Sequence, residues 1–198
     1  MWALLSSTFV EAIKIMSSFV GKLLVASPKL NDSSFKRSVV LIVQDDANGT
    51  VGVVLNRPAT SEMCEAWNKI AGHSPQGNGR LWFGGPMSGP ILAVHGIKDL
   101  AELKLSNGIF AAATQDNLKQ LLAQQERPYR IFFGLSGWQP GQLETEISQG
   151  AWLTADASSD DVLEEHEDLW SDTIRQIGRS FLEHIVGAKN IPPAPDLN

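Results

Sequence analysis

Two consecutive valine-rich segments constrain the fold of this chain more than any other feature of its sequence. Residues 38–44 (Ser-Val-Val-Leu-Ile-Val-Gln) and 50–55 (Thr-Val-Gly-Val-Val-Leu) are almost continuously apolar, and Asp-Asp-Ala-Asn-Gly at 45–49 joins them. β-branched residues favour strands, and a short connection that contains Gly favours a hairpin. A strand with one face in water alternates apolar and polar residues, whereas these two do not. The sequence therefore predicts a β-hairpin with both faces covered.

Further apolar patterns predict both strands and helices. Short apolar runs predict strands at 22–26, 80–83, 91–95, 109–112, 130–135 and 152–155, the last of them at an edge. Apolar residues three and four apart predict helices at 60–71, 114–125 and 169–185. Hairpins interrupt the alternation of strands and helices, so the order is not that of a regular βαβ series. We expect an α+β fold, with a mixed sheet and helices at its flanks.

The length of the chain fits one domain. A chain of 198 residues can bury a single core of ordinary size. We expect the α+β domain to occupy residues 21–187. The Pro-rich residues 188–198 are expected to form an extended, mobile tail.

The first 20 residues have the pattern of an amphipathic helix. This N-terminal helix either packs on its own domain or mediates self-association, contact with a partner or contact with a membrane surface. Its polar face carries mainly Ser with one Glu and one Lys, which is too little positive charge for a strong lipid anchor. The apolar face consists of Trp2, Leu5, Phe9, Ile13, Met16 and Val20.

Simple counts argue against several classes of protein. No apolar run reaches the roughly 18 residues that cross a bilayer, so we predict no transmembrane segment. The N-terminus is a poor secretory signal, because Glu11 and Lys14 interrupt its apolar stretch. The single cysteine, Cys64, excludes an internal disulfide framework and a cysteine-based zinc site.

The net charge of −6 is unevenly distributed. Between Asp156 and Asp172 eight acidic residues occur without a Lys or Arg, which is typical of a solvated connector and the start of a helix. Nucleic-acid binders usually present a basic face. Because this chain has no basic run, nucleic acid is a weakly supported partner beside an unidentified protein or small molecule.

The sequence lacks the standard nucleotide-binding and metalloprotease motifs, and we predict neither a cofactor nor a metal site. The stretch Gly134-Leu-Ser-Gly-Trp138 approaches a nucleophile elbow but has Trp where the second Gly belongs. Of the four His residues, His95 is best placed for a site, because it ends a strand after a Gly-rich loop. The enzymatic alternative is a hydrolase-like activity that uses His95 and Glu146 in a cleft at the strand ends.

Two further features at strand ends allow both a functional and a structural interpretation. The Gly84-Gly85-Pro86 turn could offer N–H groups to an anion, or let the backbone pass close to another element. Arg57 follows a buried-type strand and could bind a carboxylate or phosphate as a fork. The interpretation that we favour for Arg57 is an internal ion pair with a residue such as Glu146.

Three segments, in order along the chain, resemble one family. The first contains Leu24-Val-Ala-Ser-Pro28, Phe35–Val40 and Gly52–Pro58; the second contains Phe83-Gly-Gly-Pro86 and Leu92–His95. The third is Gly137-Trp138-x-x-Gly141-Gln142-Leu143-x-x-Glu146-Ile147, followed by Trp152-Leu153. Together they resemble the AlgH/YqgE family of bacterial proteins over about residues 22–181.

This resemblance implies an α+β domain whose mixed sheet bends toward a partial barrel, in a cytoplasmic bacterial protein. One member gives the family the label of a transcriptional regulator of alginate synthesis, but a label carried by analogy supplies no DNA-binding mechanism. Two departures stand out. The N-terminal helix precedes the usual family start, and residues 87–91 lack the charged residues often found there.

The motif residues support two hypotheses. In the first, a non-enzymatic binding or regulatory protein holds a ligand at its strand ends. In the second, the same residues lock the bent sheet, with glycines at close approaches and Trp138 in the core. The candidate site residues are Asn56, Arg57, Gly84, Gly85, Pro86, His95, Trp138, Gln142 and Glu146.

Overall fold

A computed structural model describes residues 18–71, 79–123 and 128–186. Within these ranges the chain forms ten strands, five α-helices and a short 3-10 helix at Lys98–Leu100. The strands are β1 (Lys22–Ala26), β2 (Val39–Asp46), β3 (Gly49–Val54), β4 (Gly79–Phe83), β5 (Leu92–His95), β6 (Leu103–Ser106), β7 (Ile109–Ala112), β8 (Tyr129–Phe133), β9 (Ser136–Trp138) and β10 (Trp152–Asp156). The helices are α1 (Ser61–Ala71), α2 (Gln115–Ala123), α3 (Gln142–Ser148), α4 (Ser159–Leu163) and α5 (Leu169–Val186).

The strands form two five-stranded sheets. The first sheet, in the order β10-β1-β2-β3-β9, is antiparallel throughout. The second sheet, in the order β4-β8-β5-β7-β6, is mixed, because β4 and β8 are parallel and the other pairs are antiparallel. The α+β class is therefore confirmed. The described strands divide between two sheets instead of continuing one bent sheet, and they do not close into a barrel.

The predicted hairpin is confirmed as β2 and β3, with Val40 opposite Val54 and Leu41 opposite Val53. Successive side chains of a strand point to opposite faces. Leu41 and Val53 accordingly lie in the core between the sheets, while Val40 and Val54 lie on the outer face of the first sheet. Both faces are buried, which explains the nearly continuous apolar sequence.

Three apolar cores hold the layers together. The central core lies between the two sheets and includes Leu41 from the first sheet and Phe132 from the second. The outer face of the first sheet packs against Leu143 of α3. The outer face of the second sheet packs against Trp67 of α1 and Leu121 of α2. The order of layers is thus helix, sheet, sheet, helix.

Most predicted elements occur near their predicted positions, and β10 is an edge strand as expected. Four short elements were not predicted, namely β6, β9, α4 and the 3-10 helix. Strands β6 and β9 contain four and three residues, too few to show a clear alternation. Helix α4 lies in the acidic segment, where Ser158 and Asp161 form a capping box. Part of that acidic connector is therefore a capped helix.

Some predictions concern residues outside the described ranges. The N-terminal helix at 1–20, the loop at 73–79 and the tail at 188–198 lie wholly or mostly there, so they stay predictions. Among the described helices, none combines the length and apolar character needed to cross a bilayer.

The chain passes closely over itself at the junction of the two sheets. A β-carbon on Gly85 (φ 147°) would lie 2.4 Å from the carbonyl oxygen of Leu135, and one on Gly134 (φ 73°) would lie 2.2 Å from that of Gly85. The Gly84 carbonyl accepts the Val54 N–H at 2.9 Å and so connects the end of β4 to β3. The glycine motif is therefore a close backbone crossing, as its structural interpretation predicted.

We expect Gly85→Ala to lower the free energy of unfolding by at least about 2 kcal/mol, because the added methyl group meets backbone and φ is strained. The matched control is Gly178→Ala in α5, where no atom lies within 4 Å of the added carbon. This control should stabilise the protein by about 0.5–1 kcal/mol. Urea denaturation measures both changes, and a Gly85→Ala variant as stable as the wild type would contradict the close crossing.

Candidate functional site

A cleft of 490 Å³ opens where the end of β3 approaches β4 and β8. The loop before β2 and the acidic connector between α4 and α5 supply its other walls. Its lining thus combines apolar surface with side chains of both charge signs. The lining residues are Arg37, Leu55, Asn56, Pro58, Trp82, Arg130, Glu164, His166, Glu167, Asp168 and Leu169.

Arg130 forms the floor of this cleft and is only 4% exposed. Because its neighbour Ile131 faces the outer core, the side chain of Arg130 extends toward the first sheet. Its guanidinium donates to the carbonyl oxygens of Leu55, just after β3, and of Val162, in α4 at 2.9 Å. It also stacks on the indole of Trp82, 3.8 Å from the ring centroid. The planar guanidinium fork suits this combination of stacking and directed hydrogen bonds.

Trp82 contributes a polar group as well as a flat surface. Its Nε1 atom is buried, and no acceptor among the described residues lies within hydrogen-bonding distance. A buried donor without an acceptor is unfavourable by about 1–3 kcal/mol. The described residues thus leave this buried indole N–H unpaired, while the ring of Trp82 lines the cleft.

Arg37 lies at the rim in a rigidly held loop. It donates to the carboxylate of Asp168 at 2.6 Å and lies over the ring of Trp170 at 4.3 Å. Its φ of 57° is uncommon for a residue other than glycine. Asn56 stabilises the loop, because its side-chain oxygen accepts the Val39 N–H at 3.0 Å and its amide donates to the Arg37 carbonyl at 2.8 Å.

The acidic connector supplies another part of the rim. The hydroxyl and N–H of Ser171 donate to Asp168 at 2.7 and 3.2 Å, so Asp168 caps α5. These bonds, with the nearby charge of Arg37, hold the pKa of Asp168 below its usual value. Glu164 and Glu167 are exposed. The rim therefore carries exposed carboxylates above a floor that is cationic and aromatic.

The nine predicted site residues do not form one site. Asn56 lines the cleft, and Arg57 is the next residue in the chain. The other seven residues lie in three separate places. These places are the glycine crossing (Gly84, Gly85 and Pro86), the end of β5 (His95), and the outer face of the first sheet (Trp138, Gln142 and Glu146).

The predicted ion pair between Arg57 and Glu146 is wrong. Arg57 donates to the carbonyl oxygen of Lys36 at 3.3 Å. Glu146 is bonded to Trp138, which pairs with Thr50 at the start of β3, whereas Arg57 follows the end of that strand. Arg57 and the Trp138 partner of Glu146 therefore lie at opposite ends of β3.

Three side-chain donors hold the carboxylate of Glu146. One oxygen accepts the indole N–H groups of Trp138 at 2.9 Å and Trp152 at 2.8 Å, and the other accepts Gln142 at 2.8 Å. The two indoles pack edge to face, 5.8 Å apart, with Phe35 beside them. This carboxylate connects α3 to the outer face of the first sheet.

The glycine crossing offers little room for chemistry. Ser136 is fully buried, and its hydroxyl donates to the Gly84 carbonyl at 3.1 Å, so solvent does not reach it. Gly85 and Pro86 line a shallow groove of 290 Å³ together with Met87. The polar groups of the motif are thus used within the junction of the sheets.

His95 is fully buried at the end of β5. Its Nδ1 accepts the Ile97 N–H at 3.2 Å, which assigns the proton to Nε2. That Nε2 has no acceptor among the described residues, and the ring of Phe110 lies 6.3 Å away between centroids. Burial lowers the pKa of His95 from 6.5, more than the Ile97 bond and the charge of Glu102 raise it.

The hydrolase-like pair is not assembled. His95 shares the outer face of the second sheet with Ala93, because alternate strand residues point the same way. Glu146 bonds to indoles on the outer face of the first sheet. Both sheets, which pack about 10 Å apart, separate the two side chains. A general acid–base pair requires hydrogen-bond reach to a common substrate, and this arrangement does not provide it.

Apart from Asn56, the cleft residues were not among the predicted site residues. One signal was available, because Arg130 is a charged residue within the buried strand Tyr-Arg-Ile-Phe-Phe and a buried charge needs partners. Trp82 and Arg37 carry no comparable local signal. Within the ranges that the structure describes, no group of three or more His, Cys, Asp or Glu side chains could hold a metal ion.

The AlgH-like family model matches residues 23–182, which include both sheets and every residue that lines the cleft. The chain belongs to the AlgH-like family. The UPF0301 protein of Pelodictyon phaeoclathratiforme is 36% identical over 185 residues, which cover 90% of this chain and 95% of the relative. The UPF0301 protein of Streptomyces avermitilis is 36% identical over 195 residues, which cover 92% and 97%.

Two solved structures are similar to this AlgH-like chain. The solution structure of the AlgH protein from Pseudomonas aeruginosa gives a TM-score of 0.66 at 25% identity, covering 87% of this chain and 97% of that one. The crystal structure of protein DIP2367 from Corynebacterium diphtheriae also gives 0.66, at 27% identity, covering 81% and 87%. The family resemblance of the sequence is confirmed.

We expect Glu146→Ala to lower the free energy of unfolding by about 2–3 kcal/mol, because it leaves two indole N–H groups without their charged acceptor. Glu144→Ala is the matched control, since Glu144 is an exposed residue of the same helix. The control should change stability by less than about 0.5 kcal/mol. Thermal unfolding followed by tryptophan fluorescence measures both, and equal effects would show that the bonds to Glu146 are unimportant.

His95 should give stability a defined pH dependence. Because its folded pKa lies below 6.5, the unfolded chain takes up the proton first as the pH falls. The contribution of the neutral ring is fully present above pH 6.5 and decreases below it. We expect His95→Gln to flatten the slope of unfolding free energy between about pH 7 and 5, whereas His166→Gln at an exposed position should retain it. An unchanged slope in His95→Gln would rule out this assignment.

Proposed function

We propose that this AlgH-like chain is a non-enzymatic binding protein with a regulatory role, whose ligand occupies the cleft above Arg130 and Trp82. The observation that carries the proposal is the cleft itself. Its 490 Å³ lies within the range of about 300–1,000 Å³ typical of ligand sites. A buried Arg–Trp stack at the floor and a polar rim are the few placed polar groups that such sites use for specificity.

The side chains of the cleft favour binding over catalysis. Covalent catalysis needs a nucleophile next to a base. The residues that line the cleft include no Ser, Thr, Cys or Lys. His166 is the only imidazole among these lining residues, and its Nε2 lies 3.0 Å from the carbonyl oxygen of Asp160. The guanidinium of Arg130 donates hydrogen bonds to two main-chain carbonyl oxygens, which hold it in place at the floor of the cleft.

The arrangement of charge indicates the kind of ligand. The guanidinium of Arg130, stacked on the ring of Trp82, makes the floor of the cleft cationic and aromatic, which favours an acceptor or a negative charge at the inner end of a ligand. The exposed carboxylates of Glu164 and Glu167 favour positive charge or donors near the rim. A ligand with an acceptor at its inner end and a positive charge at its outer end, as in an amino acid or a short peptide, fits both.

A regulatory role based on this cleft does not require contact with DNA. The net charge is −6, and the exposed carboxylates of the rim repel phosphate groups. We therefore propose regulation through a small molecule or a protein partner in the cytoplasm.

Native mass spectrometry of the protein, purified gently from its own cytosol at low salt, tests this proposal. We expect the wild type to retain a bound species. Glu164→Gln combined with Glu167→Gln should reduce the retained fraction at least about tenfold, because each lost charge-assisted bond contributes about 1.5–3 kcal/mol. Glu144→Gln, on a different surface, should behave as the wild type. A bare wild-type chain, or equal retention by all three proteins, would contradict binding in this cleft.

A further inference from the structure

The outer edge of β10 differs from the other edges of the two sheets. Each sheet has an edge strand at either end, and these are β10 and β9 in the first sheet and β4 and β6 in the second. Residues 57–59 cover β4, since the Phe83 N–H donates to the Arg57 carbonyl at 2.9 Å. Strand β9 has only three residues, and β6 has a register shift next to Lys104. Covering segments, short strands, bulges and charges are the usual devices that protect an edge from pairing.

Strand β10 has none of these devices among the described residues. It pairs with β1 without a register shift and contains no proline. Its only charge, on Asp156, is paired with Lys22 of β1. Thr154 and Asp156 are exposed, whereas Trp152 is only 2% exposed. The open part of the edge is therefore the C-terminal half of the strand.

The main chain of this open part points hydrogen-bonding groups away from the sheet. Where β1 and β10 pair, the Ser27 N–H donates to the Ala151 carbonyl at 2.9 Å. Because hydrogen-bonded and non-hydrogen-bonded pairs alternate in an antiparallel ladder, every second residue from Ala151 directs its N–H and C=O at β1. Those of Thr154 and Asp156 point outward, and no described residue bonds to them.

The side chains of the edge form an apolar row and a polar row. Leu153, Ala155 and Ala157 are half-buried and pack at the margin of the central core. Thr154 and Asp156 point to the opposite face, because successive side chains of a strand alternate. A strand that extends this sheet must therefore present apolar side chains on the inner face and polar ones on the outer face.

We propose that β10 pairs with β10 of a second copy of this chain, antiparallel and about a two-fold axis at Ala155. In this register Thr154 lies opposite Asp156 of the second copy and exchanges both N–H···O bonds with it. The axis repeats the same exchange on its other side. Every outward main-chain group of these two residues then has a partner in both chains.

The side chains select this register over its neighbours. An axis at Thr154 places Asp156 opposite Trp152, whose main chain is buried. An axis at Asp156 places two carboxylates opposite each other, and like charges in that position are destabilising. An axis at Ala155 instead places Leu153 opposite the small Ala157 in the apolar row.

A second copy is the occupant that this edge fits, because its pattern is self-complementary. A two-fold interface uses the same surface on both subunits, and two identical antiparallel strands satisfy that condition. Only a few residues of each chain take part, so the contact is smaller than the roughly 1,200–2,000 Å² of stable interfaces. We therefore expect a weak dimer that exchanges with the monomer.

Sedimentation equilibrium of the full-length protein over a concentration series measures the dissociation constant of this dimer. Thr154→Pro removes an outward N–H but no bond to β1, and an edge position accepts proline. It should weaken the dimer about tenfold, because each chain loses one hydrogen bond. The matched control, Thr154→Ser, keeps both the N–H and the hydroxyl and should stay within about threefold of the wild type.

The sign of a charge at position 154 tests the register. Thr154→Lys places an ammonium group opposite Asp156 of the second copy, on both sides of the axis. It should tighten the dimer at least about threefold, and Thr154→Asp should weaken it by a similar factor. Because position 154 is exposed, these two variants decide the matter if Thr154→Pro disturbs folding.

Three results would overturn the proposal. The first is a wild-type chain that stays monomeric up to about 1 mM. The second is a dimer that a folded Thr154→Pro variant leaves as tight as in the wild type, which would assign association to another surface. The third is a change of the dissociation constant in the same direction for Thr154→Lys and Thr154→Asp.

Discussion

The buried guanidinium of Arg130 is the interaction on which the rest of the structure depends. A charge placed between two sheets is stable only when hydrogen bonds and a polarisable surface replace water. Leu55, Val162 and Trp82 supply them. Since these partners belong to the end of β3, to α4 and to β4, one side chain positions three walls of the cleft. The apolar cores align the sheets, but a non-directional hydrophobic contact does not fix where their ends meet.

The residues that identify the family serve a different purpose from the residues that line the cleft. Gly85 and Gly134 allow the chain to cross itself between the sheets. Glu146 gathers the indoles of Trp138 and Trp152 on an outer face. Both arrangements use their polar groups internally. The Glu164–Asp168 connector, in contrast, presents exposed carboxylates at the cleft. A motif can therefore identify a fold reliably and still lie away from the cleft for which we propose a ligand.

Local patterns in the sequence were sufficient for the elements and for the burial of both faces of the β2–β3 hairpin. They did not predict that the strands form two sheets, because that division depends on the crossing of Gly84 and Gly85 with Gly134, some fifty residues away. The ion pair assigned to Arg57 was wrong for a related reason. Opposite charges indicate a pair only when the fold brings them together. Here Arg57 follows the end of β3, whereas Glu146 bonds to Trp138, which pairs with Thr50 at the start of that strand. Arg130 was visible as a charge in an apolar strand, but its main-chain acceptors leave no trace in sequence.

The six tryptophans provide the most direct test of the account. Each indole N–H gives its own signal in a proton–nitrogen NMR spectrum, and Trp82 lies in the cleft while Trp138 and Trp152 are bonded to Glu146. The measurement is the change of these signals when the low-molecular-mass fraction of a cytosolic extract is added. The account predicts that the Trp82 signal shifts while those of Trp138 and Trp152 stay in place. Shifts confined to Trp138 and Trp152, or an unchanged Trp82, would contradict it.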